Sequence, residues 1–357
     1  MKYPIRWFLG ASCILSVGVG TAIALRMMYW PCGRWETESG CVASVRLQTQ
    51  ALGFEEDTVQ VNFRSFDLST GADTVLVGLG GVRQDSSGQN RYYAVLALFD
   101  ARNGTLIREI RAIKGNVRAV WQDGDDTGAR TVEIALSPDG QLAASYGMGE
   151  GENRLLVQQT SDGQIVKEFP RGDPDDENLV NNCISQLDFT ADSRSLQCGS
   201  VLYDLDNRNY TSLSDSNGNY KFPRAADFHG GRYALAPDGT RFDRDGIVQP
   251  SGAQFPLESD LKVLDDVGNL AFSPNSQLVL EVRSNRYSAR GFRRLIPSPF
   301  RRLSGIAVWN REAELQHLFF ANQRYDEVAW SRDSEFFALL SQNLTLQTFR
   351  APSLKEE

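Results

Sequence analysis

One phrase recurs along this chain and leaves few folds open to it. It is a short alternating strand, a turn of the Ser-Pro-Asp-Gly type and a second apolar strand, followed later by a third strand that ends in an aromatic-polar pair. The clearest copy reads Thr131-Val132-Glu133-Ile134-Ala135-Leu136, then Ser137-Pro138-Asp139-Gly140, then Gln141-Leu142-Ala143-Ala144-Ser145-Tyr146. Val132, Ile134 and Leu136 alternate with Thr131, Glu133 and Ala135, the period of a half-buried strand. Pro138 and Asp139 preset the turn, and Gly140 supplies a permissive backbone. Arg154 to Gln158 makes a third strand, Ser161-Asp162-Gly163 a further turn, and Gln164 to Phe169 a fourth strand. The unit is a four-stranded antiparallel meander, and its recurrence signals a repeat architecture.

Looser copies follow the same order. Leu270-Ala271-Phe272 leads through Ser273-Pro274-Asn275-Ser276 to Gln277-Leu278-Val279-Leu280 and later to Ile306-Ala307-Val308-Trp309-Asn310. Leu187-Asp188-Phe189 leads through Thr190-Ala191-Asp192-Ser193 to Ser195-Leu196 and Val201-Leu202-Tyr203-Asp204. Val328-Ala329-Trp330 leads through Ser331-Arg332-Asp333-Ser334 to Phe336-Phe337-Ala338-Leu339. An early copy begins near Val61 and ends at Phe99-Asp100, and an eroded one holds Ala234-Leu235-Ala236-Pro237-Asp238-Gly239 with Phe242. These turns and strand ends resemble a β-propeller of the WD-repeat or TolB-like kind, over residues 43–350. The chain lacks the Gly-His and Trp-Asp pairs of well-formed WD repeats. The resemblance implies an all-β propeller and a scaffold rather than a particular reaction. About 40–50 residues per repeat predicts six or seven blades. The last copy stops after its third strand, whereas Cys41-Val42-Ala43-Ser44-Val45-Arg46-Leu47 is a strand without a blade. Closure of the last blade by this N-terminal strand would remove a free sheet edge.

Lys2 and Arg6 precede nineteen uncharged residues, Trp7 to Leu25. As a helix these span roughly 28 Å, near the hydrocarbon thickness of a bilayer. Two readings stand: an uncleaved transmembrane anchor, or a signal helix with Ala22-Ile23-Ala24 as its cleavage site. A lipoprotein reading at Cys13 fails, because Leu9 lies one residue too far and the apolar run continues beyond. The organisation expected is an anchor or signal segment over 1–30, a linker over 31–42 and the propeller over 43–357. Its place is single-pass and membrane-anchored, with the propeller on the extracytoplasmic side. The other four cysteines form two local pairs, Cys32 with Cys41 and Cys183 with Cys198, which are expected to be disulfides. Cys183 and Cys198 share strand parity with Leu187, Phe189 and Leu196, which places them diagonally, and buried free thiols remain the alternative there.

Charge and composition exclude several functions. The net charge is −8, and without a basic surplus the chain is a poor nucleic-acid binder. His229 and His317 are its only histidines, which argues against a histidine metal site or a Ser-His-Asp triad. Asp123, Asp125 and Asp126, and the run Asp173 to Glu177, lack the register of a calcium loop. Gly147 to Gly151 has no helix behind it to hold a phosphate. Asn103, Asn209 and Asn343 open glycosylation sequons. No metal or cofactor is expected.

Against the acidic balance stands one basic segment, residues 283–302. Arg283, Arg286, Arg290, Arg293, Arg294, Arg301 and Arg302 occur there without a single acid, interleaved with Tyr287, Phe292, Leu295, Ile296 and Phe300. Arginine beside aromatic residues suits a docking contact. These arginines and Phe292 are the expected partner-binding residues, toward an acidic protein or anionic lipid. The bland alternative is a solvated loop whose arginines pair with the acidic run 171–178. The expected function is a non-enzymatic protein–protein interaction scaffold that docks a partner protein or membrane complex. The alternative is a propeller enzyme, hydrolase or lyase, or a small-ligand sensor, using the central channel.

Overall fold

A computed structural model of the chain describes residues 40–52, 59–84, 90–116, 133–146, 155–169, 187–198, 201–207, 210–212, 233–235, 240–243, 246–249, 251–256, 270–283, 304–321, 325–341 and 343–353. These residues form β1 (Cys41–Arg46) and six four-stranded antiparallel sheets, the last of which β1 completes. Sheet I holds β2 (Val59–Leu68), β3 (Thr74–Gln84), β4 (Asn90–Asp100) and β5 (Leu106–Asn116). Sheet II holds β6 (Glu133–Leu136), β7 (Leu142–Tyr146), β8 (Leu155–Gln159) and β9 (Ile165–Phe169). Sheet III holds β10 (Leu187–Phe189), β11 (Ser195–Cys198), β12 (Val201–Asp204) and β13 (Tyr210–Ser212). Sheet IV is the eroded copy, with β14 (Tyr233–Leu235), β15 (Arg241–Asp243), β16 (Gly246–Val248) and β17 (Gln254–Pro256). Sheet V holds β18 (Leu270–Phe272), β19 (Leu278–Arg283), β20 (Ser304–Asn310) and β21 (Leu315–Ala321). Sheet VI holds β22 (Tyr325–Trp330), β23 (Phe336–Ser341) and β24 (Thr345–Arg350), with β1 outside β24. The first strands of neighbouring sheets pack side by side, β22 on β2, β2 on β6, β6 on β10, β14 on β18 and β18 on β22. This is an all-β propeller, with first strands around the axis and fourth strands at the rim.

Side-chain parity explains the sheet-on-sheet packing. Val75, Val77 and Leu79 on β3 face sheet VI, whereas Leu76 between them faces sheet II. On β19, Leu278, Leu280 and Val282 face sheet VI, and Val279 faces sheet IV. Alternate residues thus bury against opposite neighbours, which is why these strands read as continuous apolar runs. Apolar clusters fill the seams between sheets VI and I, I and II, II and III, IV and V, and V and VI. Each fully buried Leu or Phe contributes about 1.5–3 kcal/mol relative to an exposed one.

The repeated turns share one hydrogen-bond pattern. Ser137 Oγ accepts from Leu142 N–H (2.8 Å) and donates to Asp139 Oδ1 (2.5 Å). Thr190 Oγ1 accepts from Ser195 N–H (3.0 Å) and donates to Asp192 (2.7 Å). Ser273 does the same with Leu278 and Asn275, and Ser331 with Phe336 and Asp333. The last turn residue takes positive φ, +71° at Gly140 and 58–62° at Ser193, Ser276 and Ser334. Glycine is preferred there, but serine is tolerated, so the sequence pattern erodes while the turn persists.

The ring closes as its unpaired strands predicted. β1 pairs antiparallel with β24, Ser44 opposite Gln347 and Val45 opposite Leu346, with a bulge at its start. Arg350 N–H donates to Gly40 O (2.6 Å) and Leu47 N–H to Leu344 O (3.0 Å), and Gln48 N–H reaches Gly104 O in sheet I (2.9 Å). β1 begins at Cys41, so the expected linker over 31–42 overlaps the propeller by two residues. The expected anchor or signal helix over 1–30 lies outside the described residues; among these, no helix is long and apolar enough to cross a membrane. Deleting residues 41–49 should abolish the cooperative thermal transition followed by circular dichroism; a truncation that melts like the intact chain would disprove closure. Gly104 has φ +74°, and a Cβ there would lie 2.3 Å from Arg46 O. Gly104→Ala should therefore cost clearly more than Gly140→Ala, where φ is +71° in open space and the cost is about 1–2 kcal/mol.

Candidate functional site at the central channel

The turns between first and second strands gather around one end of the axis. The turns between third and fourth strands lie at the same end: Ala101 N–H donates to Asp73 O, Thr160 N–H to Gln141 O and Leu205 N–H to Arg194 O, each at 2.9 Å. The second residue of each of five turns, Thr70, Pro138, Ala191, Pro274 and Arg332, borders an axial cavity of about 650 Å³. Two positions before each turn stand Asp67, Ala135, Asp188, Ala271 and Ala329. Sequence position in the repeat therefore translates directly into position along the channel.

Arg332 organises this site. It replaces the proline of the turn in sheet VI and reaches across the axis. Nη2 lies 2.7 Å from Asp67 Oδ2 in sheet I, and Nη1 lies 2.5 Å from Asp188 Oδ1 in sheet III. Nη2 also donates to Leu136 O in sheet II (3.3 Å). Asp67 in turn accepts Leu136 N–H on Oδ2 and Leu68 N–H on Oδ1, both at 2.8 Å. The side chains keep 16, 14 and 27% of their surface exposed at Arg332, Asp67 and Asp188. Burial opposes the charge on Arg332, but Asp188 and Asp67 together outweigh it and hold the guanidinium pKa above its ordinary value. Burial raises the pKa of Asp188, with the Asp67 charge adding to it and Arg332 working against it. A carboxyl raised in the folded state subtracts stability as pH climbs past the ordinary Asp value, so Asp188 alone gives no resistance to alkali.

Further bonds lace the turns together. Gly71 N–H donates to Asp333 Oδ2 (2.7 Å), Thr70 Oγ1 to Pro138 O (2.7 Å) and Asn275 N–H to Ser334 Oγ (3.1 Å). Sheets V, VI, I and II are thus tied in sequence at this end, and Arg332 adds sheet III.

The residues expected from sequence fall elsewhere. Arg283 ends β19, at the end of sheet V opposite the turns, and Ser304 begins the return. Arg286, Arg290, Phe292, Arg293, Arg294, Arg301 and Arg302 lie outside the described residues, as do both acidic loops and Gly147 to Gly151. Cys198 is fully buried, pairs across from Leu187 and shares a cluster with Phe189 and Leu196, as its parity implied. Cys41 and Cys198 are not free thiols, and their expected partners Cys32 and Cys183 are outside the described residues. Asn103 is exposed, but its Oδ1 is used within the turn, accepting Thr105 N–H (2.8 Å) and Oγ1 (2.6 Å). His317 is half-buried on β21, with its pKa lowered by burial. No group of three metal-ligating side chains occurs among the described residues. Sequence reasoning missed Asp67, Asp188 and Arg332. The available signal was an arginine where aligned turns carry proline or alanine, and aspartates where aligned strands carry alanine.

No family model matches the chain. No curated protein is similar to it. Among solved structures, a chain of "Crystal Structure of Mitotic Checkpoint Complex" is similar over 91% of this chain and 95% of its own, at 12% identity and a TM-score of 0.38. A likeness of that size carries no argument, and the propeller rests on the strand order and seams above.

The ion triad has a distinct mutational signature. Arg332→Met leaves two largely buried carboxylates uncompensated and should cost about 3–5 kcal/mol in urea unfolding. Adding Asp67→Asn and Asp188→Asn should restore much of that loss. A triple variant no more stable than Arg332→Met would show that the guanidinium acts by packing alone.

Proposed function

We propose that this chain is a non-enzymatic protein–protein interaction scaffold, a membrane-tethered, extracytoplasmic propeller of six blades that docks a partner protein or membrane complex. One observation carries the reading: both Nη groups of Arg332 are committed to carboxylates of other sheets. The strongest charged constellation on the axis therefore serves to fix four sheets, VI, I, II and III, rather than to await a substrate. A rigid ring with preset ends loses little entropy on docking. The apolar segment before the propeller supplies the tether, and the pairs Cys32–Cys41 and Cys183–Cys198 are the disulfides that an oxidising compartment permits.

The docking residues are Arg283 at the end of β19 and Arg286, Arg290, Phe292, Arg293, Arg294, Arg301 and Arg302 in the sequence between β19 and β20. Their chemistry fits an acidic protein surface, or anionic lipid held near by the tether. Lipid attraction would amount to about 1 kcal/mol per basic residue and weaken with salt. A second reading, a small-ligand sensor working from the axis, is favoured by the cavity there.

Changing Arg290, Arg293 and Arg294 together to Ser should reduce co-purification of the partner from solubilised membranes, or binding to anionic vesicles, while the melting temperature stays constant. Undiminished association at low ionic strength would return the segment to a solvated loop.

A further inference from the structure

We propose that Asn103–Gly104 is a site of spontaneous deamidation, activated by its own turn and held back by the seating of β1. The two residues lie in the turn between β4 and β5, with Asn103 exposed and Gly104 buried. Asn103 Oδ1 accepts Thr105 N–H (2.8 Å) and Thr105 Oγ1–H (2.6 Å), and its Nδ2 donates to Asp100 Oδ2 (3.2 Å). Both donors meet the oxygen that gains negative charge when a nucleophile adds to Cγ, so the side-chain amide is activated. The nucleophile is the main-chain nitrogen of Gly104, whose residue has no side chain to crowd the approach.

That nitrogen is withheld while the ring is closed. Gly104 N–H donates to Asp100 O (2.8 Å), and Gly104 O accepts Gln48 N–H beyond the end of β1 (2.9 Å). A Cβ at Gly104 would overlap Arg46 O, so the closing strand also leaves this residue no room to turn. When β1 lifts, the Gly104 nitrogen gives up its proton and bonds to Asn103 Cγ. The Cγ–Nδ2 bond breaks, and ammonia leaves with that proton. Water then opens the succinimide at either carbonyl, giving aspartate or isoaspartate. Isoaspartate carries the main chain through Cγ and lengthens it by one methylene. A seat that cannot take a Cβ cannot take the longer chain, so β1 stays out. Deamidation thus turns a transient opening of the ring into a permanent one.

The test incubates the full chain, purified in detergent, at mildly alkaline pH. Isoaspartate at position 103 is followed by peptide mass spectrometry after labelling with isoaspartyl methyltransferase. The native chain should react more slowly than the same chain in urea; equal rates would overturn the clamp. Leu47→Ala loosens β1 at the seam of sheets VI and I, and Leu155→Ala opens a matching cavity at the seam of sheets II and III, away from β1. Leu47→Ala should accelerate the reaction about tenfold or more, and Leu155→Ala less than about twofold. Equal acceleration would make global unfolding the cause and overturn the proposal, as would no acceleration in either variant once both melt at lower temperature. The consequence is read by hydrogen exchange. The isoaspartate fraction should lose amide protection along β1, whereas Asn103→Asp, with the new charge on a main chain of ordinary length, should keep it. Full protection in the isoaspartate fraction, or equal loss in Asn103→Asp, would overturn the link between modification and closure.

Discussion

The structure depends on the pairing of β1 with β24. A ring of meanders has no interior that a single sheet could bury, since each sheet covers only the faces of its two neighbours. With the last sheet one strand short, the ring would expose the edge of β24 and uncover the cluster that joins sheets VI and I. β1 supplies both the missing ladder and part of that cluster, through Val45 and Leu47. Closure is also chemically local. Gly104 and Gln48 join the same seam, and the clearance at Gly104 permits no side chain. The closing strand therefore joins the two ends of the propeller and seals the first sheet to the last.

Much of this fold was legible because the turn is a local device. Ser137, Thr190, Ser273 and Ser331 each complete their bonds within five residues, so the motif reports itself in sequence. Parity of Cys198 with Leu187, Phe189 and Leu196 was equally readable, and so was the orphan strand at Cys41. The axis was not. Arg332 and Asp67 are 265 positions apart, and nothing near either residue names the other. The pairing becomes visible only when the turns are laid side by side, where arginine stands out against Pro138 and Pro274. Basic residues 283–302 drew attention instead because charge clustering is visible without any fold.

The triad makes physical sense as a specificity device. Removing two carboxylates and a guanidinium largely from water is costly, and apolar replacements of similar volume are often as stable. What the charges add is selectivity among sheets. Alanine at the equivalent positions of β6, β18 and β22 leaves Arg332 with only two acidic strands to choose from at this level, β2 and β10. Similar repeats invite a wrong neighbour, and an ion pair that rewards one arrangement discriminates where apolar seams do not.

The two ends of the ring consequently carry different freedoms. Turns at one end are four-residue, hydrogen-bonded and tied to adjacent sheets, so their length is constrained. Connections at the other end join β5 to β6, β9 to β10 and β19 to β20, and span residues 117–132, 170–186 and 284–303. Length can vary there because the strands that flank each connection are already paired. Both acidic runs and the arginine-rich run fall in these three connections. The opposite end keeps fixed geometry and places its charges on strands and tight turns.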